Sequence, residues 1–103
     1  MLFRAVLASL VLAGLGACGG ALPAVTPVDA ARSGVALAEL QQGRQLVMAK
    51  CSGCHRTPQP TEHKTDEWPK MIDEMAQRAR VEGSERQAIR DYLVTMATRS
   101  PRR

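Results

Sequence analysis

The side chains best equipped for chemistry in this 103-residue chain lie together in "MAKCSGCHR", Met48 to Arg56. Cys51 and Cys54 are separated by Ser52 and Gly53, and His55 follows directly. Two thiols and an imidazole at this spacing point to c-type haem attachment: the thiols add across the two vinyl groups of the porphyrin, and the histidine turns back to bind iron. Ser52 and Gly53 are small enough to let the backbone pass close to the ring. Two other chemistries use similar residues. A structural zinc site wants four ligands, and His63 is the one further obvious soft donor once Cys18 is set aside. A thioredoxin-like CxxC sits in an α/β context, which the pattern below lacks. The expectation is one covalent haem c on Cys51, Cys54 and His55.

The rest of the composition is consistent with a cofactor. Phe3, Trp68 and Tyr92 are the only aromatic residues. A domain this small buries a low fraction of its surface and often needs a disulfide, metal or cofactor to complete its core.

The chain opens with Arg4, an apolar run from Ala5 to about Leu15, and then small residues. That run is too short to span a bilayer and reads as the h-region of a secretory signal peptide over residues 1–17. The junction Leu15, Gly16, Ala17, Cys18 resembles the bacterial lipobox, in which cleavage precedes a cysteine that is then lipidated. Lipidation of Cys18 explains the odd third thiol of an exported chain and implies a domain tethered to a membrane surface. Gly19, in place of the aspartate associated with inner-membrane retention, favours the outer membrane. Cleavage removes Arg4 as its only charged residue and lowers the formal net charge of +4 by one unit. Two haem propionates would offset most of the remainder, and no basic and aromatic cluster supports a nucleic-acid partner. The terminal "RSPRR" reads as a solvated tail that can assist docking to an acidic partner or membrane.

The elements that must position the motif are helical. Residues 18–35, rich in Gly, Pro and Ala, read as a flexible linker, and residues 36–103 as the domain. A first helix is expected over about Ala36 to Ala49, with Ala36, Leu40, Gly43, Val47 and Cys51 on one side. Gly43 in its middle costs helix propensity, so a close approach by another helix is expected there. A second runs from Thr65 or Trp68 to Arg80, with Trp68, Met71, Ile72, Met75, Ala76 and Ala79 sharing a face and Pro69 in the first turn. A third begins at Ser84, where Ser84 and Gln87 form a capping-box signature, and its face is Ile89, Tyr92, Leu93 and Met96. No stretch alternates as a strand, so the fold is expected to be all-α with three main helices.

These segments resemble the class I c-type cytochromes. "GRQLVMAKCSGCH" is similar to their N-terminal helix and attachment motif, and "AIRDYLVTM" to their C-terminal helix with its aromatic-Leu pair. The resemblance covers about Val35 to Arg99. It implies that the terminal helices cross with Gly43 against Tyr92. The chain departs from the pattern by being short between the motif and the last helix, where larger members carry the loop with the distal methionine.

The sixth iron ligand decides between functions. The candidates are Met71, Met75, Met96, His63 and none; Met48 lies too close to the motif to reach the opposite face. Met96 and Met71 read as core, and His63, in the Pro-flanked loop "TPQPTEHKT", as a loop histidine able to reach a propionate or iron. Met75 sits near the middle of the apolar face and projects nearly as Trp68 does. Small exported cytochromes with "CH…EW…M" place a ligating methionine on a helix seven residues past a tryptophan, and Trp68 and Met75 keep that spacing. The resemblance therefore implies His55 and Met75 as the axial pair.

Such a centre suits a single-electron carrier rather than an enzyme, with redox proteins as donor and acceptor and a lipid-tethered address on the exported, periplasmic side. Two alternatives stand beside it. One is a five-coordinate or bis-His haem for gas sensing or peroxide chemistry; the other is a fixed electron-transfer subunit of a larger oxidoreductase.

Overall fold

The computed structural model describes residues 21–52 and 56–99. Their order is α1 (Pro27–Ser33), α2 (Leu37–Leu46), a π-helical turn (Val47–Cys51), a 3-10 turn (Pro60–Glu62), α3 (Trp68–Ala79) and α4 (Gly83–Ala97). The fold is all-α, with no strand among the described residues.

The crossing of α2 and α4 forms the largest interface in the fold. Gly43 makes it possible: a Cβ there would collide with the Ala88 carbonyl oxygen and lie 2.7 Å from Tyr92 Cβ. The helix-weakening glycine is therefore offset by contact between backbones that no side chain would permit. Leu40, Val47, Tyr92 and Leu93 are fully buried around the crossing.

Helix α3 closes the core from the other side. Trp68, Ile72 and Ala76 are buried, and Met71, Met75 and Ala79 pack partly buried beside them, while Lys70, Asp73, Glu74, Gln77 and Arg78 face solvent. The helix ends where Arg80 turns left-handed at φ 56°, and the Val81 N–H reaches back to the Ala76 carbonyl at 2.9 Å. This closing turn inserts Val81, 1% exposed, into the core.

Several expectations need correction. The first long helix leaves α geometry at Val47 and widens into the π turn, instead of continuing as α-helix to Ala49. Helix α3 starts at Trp68, preceded by a turn in which the Glu67 carboxylate accepts the Lys64 N–H at 3.0 Å; Thr65 is not its cap. Helix α4 starts one residue before Ser84, with Glu82 at the cap and no side-chain capping bond.

The largest correction concerns residues 21–35, expected as a flexible linker. A fourth helix, α1, forms there. Its start is Thr26-Pro27-Val28-Asp29, in which the buried Asp29 carboxylate accepts the Thr26 N–H at 2.9 Å and the Thr26 hydroxyl at 3.0 Å. Leu22, 3% exposed, joins the core. The structural unit therefore extends back at least to Leu22 rather than starting at residue 36, because hydrogen bonds and the apolar contacts of Leu22 and Val25 offset the conformational entropy of this Gly, Pro and Ala segment.

Candidate functional site

Between α3, α4 and the π turn lies a shallow, partly open apolar cleft with a cavity volume of about 10 Å³. Its lining is Cys51, Ile72, Met75, Ala76, Ala79, Val81, Ile89 and Leu93. The helical period explains the walls: Ile72, Met75, Ala76 and Ala79 are successive positions on one face of α3, and Ile89 and Leu93 are one turn apart on α4. The lining holds no charged side chain.

Cys51 enters at the end of the π turn, half-buried, and that burial pushes its thiol pKa up, so the sulfur stays protonated at neutral pH. A π turn rotates the residues after it relative to a regular α-helix and is a frequent feature of functional positions. Met75 enters from α3, also half-buried. A thiol and a thioether from elements far apart in sequence thus face one apolar space. A thiol and a thioether beside aliphatic walls are donor chemistry of the kind a haem uses, but the cleft with these residues in place is smaller than a porphyrin. Cys54 and His55 lie outside the described residues, as does Cys18.

The other sulfur candidates are elsewhere. Met96 is 2% exposed and part of the core, Met71 packs at its edge, and Met48 is solvent-exposed. None of them lines the cleft. His63 is also absent from the lining. Its ring stands edge-on against Trp68 with centroids 4.8 Å apart, and Nδ1 lies 3.9 Å from the Glu67 carboxylate.

The chain leaving His55 is held firmly. Arg56 pairs with Glu62 at 2.6 Å, and Pro58 and Pro60 are buried. The Trp68 indole N–H donates to the Pro60 carbonyl at 2.8 Å. Trp68 therefore fixes the segment after the CxxCH motif with its ring nitrogen, while its helix carries Met75 about two turns further on. Helical spacing marks only the direction of the Trp68 side chain; the bond to Pro60 follows from the general need of a buried indole N–H for an acceptor, which spacing does not locate.

Among the described residues no three His, Cys, Asp or Glu side chains gather as a metal cluster. No helix among them is long and apolar enough to cross a membrane. Comparison of the chain with protein-family models, with curated proteins and with solved structures finds no match.

Proposed function

We propose that this chain is a small c-type cytochrome: a single-electron carrier with one haem c on Cys51 and Cys54, His55 and Met75 as axial ligands, and a lipid on Cys18 that tethers it to a membrane on the exported side. The observation that carries the reading is the shared cleft of Cys51 and Met75, since attachment and distal ligation must meet across one apolar space.

When bound, the haem supplies a one-electron iron couple, whose potential a methionine ligand raises. The protein supplies the surroundings. Ile72, Ala76, Val81, Ile89 and Leu93 give the site aliphatic walls that exclude water and keep the local dielectric low. Met75 is carried on a helix whose buried face packs into the core, which fixes where its side chain leaves the backbone. Trp68 and the Arg56–Glu62 pair restrain the chain that follows His55. His63, occupied by Trp68 and Glu67, is not poised as a distal acid or base, which favours the carrier over peroxide chemistry.

The deciding experiment is the pyridine spectrum of protein produced with a cytochrome c maturation system, after extraction with acidified acetone. A c-type haem spectrum that stays with the protein is expected. Haem lost to the solvent, or never attached, overturns the reading. In the same preparation the ferrous protein should resist carbon monoxide, and rapid binding would instead identify an open distal side.

A further inference from the structure

The lipid anchor in the proposed function, combined with the docking of residues 22–34, has a geometric consequence. Three successive carbonyls of this segment are taken by side chains of α2 and of the chain ending α4. The Leu22 carbonyl accepts Arg44 Nε at 3.3 Å and Nη2 at 3.1 Å, the Pro23 carbonyl accepts the Tyr92 hydroxyl at 2.7 Å, and the Ala24 carbonyl accepts Arg99 Nη1 at 3.2 Å. Further along, Asp29 pairs with Arg32 at 3.1 Å and with Arg99 at 3.5 Å, and Arg32 donates to the Thr95 carbonyl at 3.0 Å.

We propose that Leu22 to Gly34 is a docked strap, which holds the domain against the lipid headgroups with the Arg44 and Arg99 face towards them. The proposal rests on lipidation of Cys18. Four residue steps separate Cys18 from Leu22, so the anchored domain starts within about 14 Å of its lipid. An undocked segment reaching to Val35 would instead allow about 60 Å. The occupant of the face is an anionic phospholipid surface, because four residue steps tie the strap to the lipid's own bilayer and the face is basic: Arg32, Arg44 and Arg99 all bind along the strap and its contacts, Asp29 pairs with two of them, and Arg44 spends its guanidinium on a neutral carbonyl. Acyl chain and basic cluster together make the two signals that stable membrane attachment uses.

The test is neutron reflectometry of the mature, lipid-bearing holoprotein on a supported bilayer. Phosphatidylethanolamine with phosphatidylglycerol is compared with neutral phosphatidylcholine. On the anionic bilayer the protein layer should touch the headgroups, and on the neutral one it should stand off by up to about 14 Å. A chain with fifteen Gly and Ser residues inserted between Gly20 and Ala21 should give a layer spread over several times that distance. A native layer as diffuse as that of the insertion chain overturns the strap, and identical layers on the two bilayers overturn the basic face. Hydrogen exchange in solution gives a reading that needs no lipid. The Thr26, Asp29, Ala30 and Gly34 amides should exchange at least a hundredfold more slowly than in a free peptide, and free-peptide rates overturn the strap. The mass of the mature chain separates the two ideas: no lipid on Cys18 sinks the anchor reading while slow exchange still upholds the docked strap.

Discussion

Gly43 and Tyr92 meet at the crossing of α2 and α4 with no room for a side chain on the glycine: a Cβ there would be 2.7 Å from Tyr92 Cβ and in collision with the Ala88 carbonyl oxygen. Both clashes are with atoms fixed by the backbone, since Cβ does not move with side-chain rotation, so relieving either means shifting a helix. Gly43→Ala should therefore destabilise the protein by about 1–3 kcal/mol, the usual cost of overpacking, even though alanine is the better helix former. Tyr92→Leu should not rescue it. Urea unfolding of the two single variants and the double variant measures both, and a stabilised Gly43→Ala would mean that the helices are not in contact.

The methionines give a sharper comparison, because Met75 lines the cleft and Met71, one turn earlier on the same helix, does not. In the ferric holoprotein the near-infrared sulfur-to-iron band should vanish in Met75→Ala and survive in Met71→Ala. The Met75 variant should also bind carbon monoxide when reduced. A band lost in Met71→Ala and kept in Met75→Ala would reassign the ligand.

Much of this was legible in the sequence where a helical period carried it. The faces of α3 and α4 follow from spacing, and Gly43 announced a close approach by its cost to the helix. In residues 21–35 the Gly, Pro and Ala composition points to a linker while the local pattern points to a helix start. "TPVD" carries its own start signal, a threonine, a proline at the first helical position and an acid three residues on. Leu22, with Val25 packed partly buried beside the core, anchors the docking, and two apolar residues in a Gly, Pro and Ala stretch have no period to reveal them. Val81 escaped notice similarly, since a left-handed turn at a non-glycine residue, Arg80, has no sequence mark. The widening of α2 into a π turn over Val47–Cys51 likewise has no mark in the local sequence.

The strap makes stability depend on acid pH through Asp29. Burial alone would raise this carboxyl's pKa, but hydrogen bonds from the Thr26 N–H, Arg32 and the Thr26 hydroxyl, with the charge of Arg99, outweigh it and leave the pKa below its ordinary 3.8. A carboxyl depressed by folding stabilises fully above its unfolded value, and the contribution fades as the pH falls through the lower, folded value. Thermal midpoints should thus fall below about pH 4 in the native chain. Asp29→Asn should lose about 1.5–3 kcal/mol at neutral pH, the worth of hydrogen bonds to a charged group, and should show a shallower acid dependence. An unchanged acid slope in the variant would place the titrating group elsewhere.

Tyr92 reports the same contact from the alkaline side. Burial, resisted in part by Arg44 and Arg99, pushes the phenol from an ordinary 10.0 to about 12. A phenol raised by folding contributes stability that is whole below the unfolded pKa and is lost as the pH climbs through the folded one. Its ionisation followed by ultraviolet absorbance should therefore have a midpoint near 12 in the folded chain and near 10 in denaturant. Tyr92→Phe keeps the Cβ contact at Gly43 and removes the hydroxyl with its bond to the Pro23 carbonyl and its interaction with Arg44. It should cost about 1 kcal/mol. The loss should appear first as faster exchange of the Thr26 and Asp29 amides, with the core of α4 unaffected. Equal acceleration along α4 would show instead that the hydroxyl supports the helix crossing rather than the strap.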